Sequence, residues 1–289
     1  MKLRSALIKL HSTLFGGCKC ISDRCFVKTA YFLSFGRLPS LSEPKTFNEH
    51  ICALKCSEEA LSYAPYADKY EVRSYVAQTV GEKYLNPVLG VYDDPKQIPY
   101  DGLPNQFVLK CTHASGYNMI VKNKAELDFE RSNKRLKMWL SRNYYTVGRE
   151  RNYKNIKPRV MVDSYIDHDG ALAEYKVFCF YGKPRLVDVN LFTENGRRTG
   201  IFTPDWEALP MTLGYEACRE LPEKPAQLEE LLNVASALSA PFPFVRIDLY
   251  LNREKILFSE MTFTSGGGLV HFSPGKYDRI IGEFFEDKS

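Results

Sequence analysis

Arg246, Asp248 and Glu260 are the residues whose types and spacing point most directly to chemistry. Val245, Ile247, Leu249 and Leu251 alternate with Arg246, Asp248 and Tyr250, so this segment reads as a strand with a polar row on one face. Asn252 to Lys255 turn the chain and Ile256 to Phe263 bring it back, a hairpin that sets Asp248 and Glu260 on neighbouring strands. Two adjacent carboxylates repel unless a cation lies between them, and magnesium is the hard ion that one or two carboxylates hold together with phosphate oxygens. Thr262, Thr264, Ser265 and the run Gly266, Gly267, Gly268 follow directly, and backbone amides in such a run can approach an anion closely. The same residues also suit a plainer arrangement, an Arg246–Asp248 ion pair on a half-exposed strand with a loose glycine turn after it.

A second constellation lies earlier. Gln106 to Lys110 is an apolar strand ending on a lysine, and Cys111 to Asn118 follow as a loop that carries Thr112, His113, Ser115 and Gly116. An ammonium and loop amides converging on one point would grip a phosphate. Met119 to Lys122 return as a strand, so the loop is a hairpin tip rather than a strand-to-helix phosphate loop. His113 suits either a reacting group or a bond to backbone. Further on, Glu174 and Lys176 alternate with Tyr175, Val177 and Cys179, and Gly182-Lys183-Pro184 turn this strand into a second one. Two basic stretches remain: the loop Thr193 to Thr199 with the flexible pair Arg197 and Arg198, and Asn143 to Lys157 with Arg149, Arg151 and Lys154. The latter reads as a solvated face.

These residues must be positioned by a mixed set of elements. Residues 1 to about 62 read as helical, broken at Gly36 to Pro39, with Thr46 and Glu49 forming a capping-box pattern. Asp68 to Val80 reads as a helix that turns Tyr70, Val72 and Val76 inward and Lys69, Glu71 and Arg73 outward, and ends at Gly81. Tyr84 to Val91 is strand-like, Leu127 to Arg142 helical, Arg159 to Tyr165 a strand, and Leu228 to Leu238 and Tyr277 to Phe285 are helices.

With 289 residues, 44% hydrophobic and 13% aromatic, the chain can bury one large core or two smaller ones. The net charge of +4 suits an anionic substrate, and no nucleic-acid module or basic run with interleaved aromatics is present. The eight cysteines match no zinc spacing and read as free thiols of a reducing cytoplasm. Lys9 and His11 interrupt the first apolar stretch, so it is neither a membrane span nor a signal peptide. Leu3, Leu7, Leu10 and Leu14 share one helical face, which suits either seating on an anionic membrane surface, at its inner face, or packing on the body of the protein.

Taken together, the chain resembles the TupA-like ATP-grasp family of bacterial surface-polysaccharide and teichuronopeptide biosynthesis. The match is carried by Lys45-Thr46-Phe47-Asn48-Glu49, Asp68 to Arg73, Phe107 to Lys110, His113 to Gly116, Tyr175 to Phe180, Val245 to Tyr250 and Ser259 to Gly268. The resemblance implies an α+β ATP-grasp fold: two α+β subdomains, 106–165 and 166–289, enclosing a nucleotide, preceded by a mainly helical region, 1–105. It implies ATP and magnesium as cofactors. Lys110, His113, Ser115 and Gly116 would contact phosphates, and the strand carrying Asp163 would be the hinge against which adenine lies. Lys176 would face the phosphate or acyl group, Arg246 would stabilise the transferring phosphoryl group, and Asp248 and Glu260 would hold the metal. Thr262 stands where most ATP-grasp enzymes have asparagine. The implied activity is a carboxylate–amine ligase working through an acylphosphate, with Arg197, Arg198, Thr262 and Gly266 to Gly268 toward a small-molecule or glycan carboxylate and its amine partner. A sugar kinase, or a non-catalytic or glycosyltransferase-associated module of a polysaccharide pathway, are the alternatives.

Overall fold

The structure is a computed structural model that describes residues 2–168, 172–193, 196–214 and 220–287. Its helices are α1 (Lys2–Phe15), α2 (Asp23–Phe35), α3 (Phe47–Lys55), α4 (Glu59–Ser62), α5 (Ala64–Ala67), α6 (Val72–Thr79), α7 (Phe129–Leu140), α8 (Tyr145–Gly148), α9 (Leu228–Ser239) and α10 (Tyr277–Glu283). The strands are β1 (Val88–Tyr92), β2 (Phe107–Cys111), β3 (Asn118–Val121), β4 (Val160–Ser164), β5 (Leu172–Phe180), β6 (Lys183–Thr193), β7 (Gly196–Phe202), β8 (Thr212–Leu213), β9 (Phe244–Asn252), β10 (Lys255–Thr262) and β11 (Phe272–Ser273).

Alternation along the strands builds two antiparallel sheets, ordered β1-β4-β2-β3 and β10-β9-β5-β6-β7. In the larger one Tyr175, Val177 and Cys179 stand opposite Leu249, Ile247 and Val245, and this apolar face packs with Leu231, Val234 and Leu238 of α9 and Val72 and Val76 of α6. The other face of the same strands pairs Lys176 with Asp248 and Glu174 with Tyr250. Toward its far end this face turns aromatic, where Phe178, Phe180 and Phe244 pack with Phe47 and Ile51 of α3. In the smaller sheet Phe107, Leu109, Val160 and Val162 pack with Leu136 and Trp139 of α7, which leaves Lys110 and Asp163 on the opposite face.

Several expectations are corrected. β1 pairs with β4, so it belongs to the smaller sheet and not to the helical region before it. The helix read from Asp68 begins at Val72, because the Asp68 carboxylate accepts from the amides of Tyr70 and Glu71 and holds a turn there, leaving Tyr70 exposed. The stretch read as a loop with a flexible arginine pair is largely strand β7, with Arg198 paired to Glu220 at 2.6 Å. Part of this stretch, Glu194 and Asn195, lies outside the described residues, as does the side chain of Arg197.

The Asn143 to Lys157 segment is no solvated face. Arg149 is buried, bonds Asp23 at 2.9 Å and donates to the carbonyls of Phe15 and Cys18, while Arg151 bonds Asp23 at 2.8 Å. One buried carboxylate thus ties the segment to the junction of α1 and α2. Helix α1 also meets α8 at Gly16, where a Cβ would lie 1.8 Å from the Thr146 carbonyl oxygen. The face of α1 that packs carries His11, bonded to Thr29 at 2.7 Å, while Leu7, Leu10 and Leu14 stay exposed. No helix among the described residues is long and apolar enough to cross a membrane, and the seven described cysteines are free.

Candidate active site

The polar faces of the two sheets line one cavity. Lys110, Met161 and Asp163 come from the smaller sheet, Glu174, Tyr250, Phe258 and Glu260 from the larger. Ser115 and Gly116 of the β2–β3 loop, Lys69 and Arg73 beside and on α6, and Asn86 complete it, at about 170 Å³. Two ion pairs line it, and a third, Arg246 with Asp248, lies outside its lining and meets it at Glu260, as do Thr262 at Glu260 and Lys176 at Glu174. Lys110 bonds Asp163 at 2.6 Å, Lys69 bonds Glu260 at 2.9 Å, and Arg246 grips both oxygens of Asp248 at 2.6 and 2.5 Å. Arg246 also reaches Glu260 at 3.6 Å, Thr262 at 3.2 Å and Ser265 at 3.1 Å. Lys176 bonds Glu174 at 3.1 Å and stands beside Asp248 in register.

Register explains the cluster. The β9–β10 hairpin pairs Glu260 with Asp248 and Thr262 with Arg246, and an irregularity between Phe258 and Glu260 sets that side of the hairpin. Burial raises the Asp248 carboxyl to about 7 against the opposing pull of Arg246. Burial would also raise Glu260, but Lys69, Arg246 and Lys176 outweigh it and draw this carboxyl down to about 2. The two carboxylates therefore differ: Glu260 stays ionised on its cations, and Asp248 is saturated by one guanidinium.

Magnesium is tested by this donor set. Asp248, Glu260 and Thr262 offer oxygen only, and no group of three or more His, Cys, Asp or Glu side chains gathers around a point among the described residues. An ion held here would take further ligands from phosphate oxygens, which is magnesium's habit, so the residues fit.

Not every expected residue reaches the cavity. His113 is buried, with Nε2 3.1 Å from the Arg142 carbonyl oxygen and its basicity lowered by burial, so it is a structural residue of the loop. Asp163 does line the cavity, with one oxygen on Lys110 and the other on Asn86 at 2.8 Å. Gly266, Gly267 and Gly268 all have positive φ and form a tight turn in which the Gly267 amide donates to Thr264, so it is not free for an oxyanion. This turn is seated on α3: Lys55 donates to the Gly267 carbonyl at 2.8 Å, and a Cβ on Gly268 would lie 2.7 Å from the Cys52 sulfur. Arg198 lies at the β7 edge and does not line the cavity.

Sequence reasoning missed Lys69, Arg73, Asn86 and Glu174. Lys69 and Arg73 were read as outward because helical periodicity locates a face relative to its own helix only. Arg73 bonds the Asn86 carbonyl at 2.8 Å, and Asn86 in turn orients Asp163, a chain of contacts that begins on α6 and ends on Lys110.

No curated protein matches the sequence. Among solved structures, an L-amino acid ligase from Bacillus licheniformis is similar at TM-score 0.49 and 14% identity, over 84% of this chain and 57% of that one. A D-alanine-D-alanine ligase from Helicobacter pylori is similar at TM-score 0.42 and 15% identity, over 78% and 61%. The same enzyme from Bacillus anthracis, complexed with ATP, is similar at TM-score 0.42 and 16% identity, over 69% and 55%. The chain therefore spans less than two thirds of the length of each. A sequence model of the TupA-like ATPgrasp family matches residues 49–286, nearly the whole of the two-sheet body and the hairpin that carries Arg246, Asp248 and Glu260, and the protein belongs to that family.

Proposed function

We propose that the protein is an ATP- and magnesium-dependent carboxylate–amine ligase that forms an acylphosphate and joins an amino acid or peptide to a uronic-acid-type glycan or its precursor. The observation that carries the reading is a set of ion pairs at one cavity, Lys110 with Asp163 and Lys69 with Glu260 in its lining and Arg246 with Asp248 beside Glu260. Each pairs a carboxylate with a cation that a phosphate could take instead. Lys110 and Lys69 would turn from Asp163 and Glu260 to phosphate oxygens, with Ser115 and Gly116 beside them. Glu260, Asp248 and Thr262 would hold magnesium, which when bound neutralises charge developing on the transferred phosphoryl group. Arg246, released in part from Asp248, would stabilise the same group, and Lys176 would receive the acceptor carboxylate. Met161, Tyr250 and Phe258 supply apolar surface for the base.

A kinase needs a general base beside an acceptor hydroxyl. Of the three candidates, His113 is turned into the protein, His271 bonds Ser34 at 2.9 Å with its basicity lowered by burial, and Asp188 is buried on β6 opposite Lys176. Neither histidine supports the kinase, and Asp188 is the residue on which that reading would have to rest. The exposed row Leu7, Leu10 and Leu14 supports contact with a membrane at its inner face.

The test is ADP release with carboxylate and amine substrates supplied separately and together, with hydroxylamine replacing the amine. A hydroxamate should form when the amine is left out. Full-rate ADP release with an uncharged sugar and no hydroxamate would replace this reading by the kinase.

A further inference from the structure

A second, larger cavity lies on the other side of the glycine turn. This groove, of about 1050 Å³, runs between α1, the α7–α8 region and the segment after Gly268. Its volume is at the upper end for a small-molecule pocket and suits a chain-like ligand. Three cations stand on it, Arg4, Lys9 and Arg142, and no carboxylate is among its lining residues. Hydroxyl groups are dense: Ser5, Ser12, Thr13 and Thr146 line it, and since Ser12, Thr13 and Thr146 donate to the carbonyls of Val147, Lys9 and Asn143, their oxygens are left to accept from a ligand. Cations without counter-charge select carboxylates or other anions, and closely set hydroxyls match a polyhydroxylated partner.

The groove also touches the machinery of the smaller cavity. The β2–β3 loop lines the small cavity with Ser115 and Gly116 and the groove with the next residue, Tyr117. On the facing side, Ser265 accepts from Arg246, while Gly266 and Leu269 line the groove and its extension. The part built by α1 and α2 lies ahead of residue 49, where the family match begins.

We propose that this groove is the seat of the acceptor, an acidic saccharide chain whose carboxylates are held by Arg4, Lys9 and Arg142 and whose end reaches the glycine turn. The inference rests on the ligase reading for the identity of the reacting end, but not for the binding itself. Lys9 and Arg142 are exposed, so their replacement leaves the packed face of α1 intact. Arg4 donates to the Ser34 carbonyl at 3.0 Å and is left in place.

The experiment is calorimetric titration of the full chain with short oligogalacturonates and with a neutral glucan of equal length, for wild type and for K9A/R142A. Wild type should bind the oligogalacturonate and not the glucan, and the double variant should bind about tenfold more weakly per cation removed. Its thermal midpoint should match wild type. Absence of oligogalacturonate binding to wild type, equal binding of the glucan, or unchanged affinity in K9A/R142A each overturns the proposal. Failure of the hydroxamate assay alongside intact, Lys9- and Arg142-dependent binding would remove the ligase chemistry and leave the groove standing.

Discussion

Lys69 and Glu260 form the one ion pair of the cavity whose energy can be worked out from its surroundings and measured without substrate. Lys69 Nζ sits 2.9 Å from Glu260 Oε2, with 15% and 28% of the two side chains exposed. Burial alone would raise the Glu260 carboxyl, yet Lys69, Arg246 and Lys176 bring it from 4.5 down to about 2. That gap corresponds to about 3 kcal/mol, at roughly 1.4 kcal/mol per pH unit. Lys69, at 2.9 Å, is closer than Arg246, at 3.6 Å, and is the one that hydrogen-bonds Glu260, so we assign it about half, or ~1.5 kcal/mol. Because the folded carboxyl titrates below the unfolded one, this stability is complete above about pH 4.5 and is lost as the pH falls toward 2. K69M should therefore lower the unfolding free energy by about 1–2 kcal/mol at pH 7, and E260Q by a similar amount, since each leaves one partner alone. The double variant should recover about 1–1.5 kcal/mol of the summed losses. Urea unfolding followed by the fluorescence of Trp139 and Trp206 between pH 7 and 3 measures all four proteins, and the K69M deficit should shrink below pH 4.5. A coupling under about 0.3 kcal/mol, or a deficit that does not change with pH, would refute the electrostatic account and reduce the contact to an ordinary surface pair. Calorimetry on the same variants reads the function: K69M should weaken Mg-ATP by about tenfold, and E260Q should remove the magnesium dependence of nucleotide binding.

D248N should abolish turnover and also cost about 3 kcal/mol, because it breaks a bidentate buried pair and leaves Arg246 only the longer ion-pair contact with Glu260 at 3.6 Å; equal stability to wild type in a thermal melt would contradict the geometry. G268A should destabilise by about 2 kcal/mol or more and disturb the glycine turn, since its Cβ meets Cys52 and the Asn48 carbonyl, whereas G267A, whose nearest neighbour is 3.8 Å away, should cost about 1 kcal/mol for its positive φ alone. Melting temperatures that rank the two in the opposite order would refute the packing of this turn on α3. Burial opposes ionisation of Asp23, but Tyr145, Arg151 and Arg149 hold its carboxyl below the usual range, so this contribution is present at neutral pH and lost as the pH falls through the folded value. D23N should accordingly lower the melting temperature at pH 7 and converge with wild type in acid; a constant difference would mean that Asp23 acts through shape alone.

The β9–β10 hairpin and its opposed carboxylates were legible because strand alternation is local and a short turn fixes register, so Asp248 and Glu260 had one way to meet. The Thr46–Glu49 capping box was legible for the same reason. What stayed hidden is what long-range packing decides. Lys69 meets Glu260 across 191 residues and Arg149 meets Asp23 across 126, and neither pairing leaves a local trace. The basic stretch around Arg149 was misread because a charge run reveals composition and not the buried carboxylate that awaits it. At His113 the sequence leaves a reacting group and a bond to backbone both open, since a loop histidine next to a phosphate-like motif says nothing about which way its ring turns; the ring bonds the Arg142 carbonyl. Among the metal candidates the same logic changes the decisive experiment. An amide at Asp248 does not spare the fold, because both its oxygens are held by Arg246, while Glu260 is 28% exposed on the cavity side. E260Q read beside K69M separates a metal ligand from a structural ion pair, because both variants break the pair and only E260Q removes the ligand oxygen, whereas at Asp248 the two roles share the same buried oxygens.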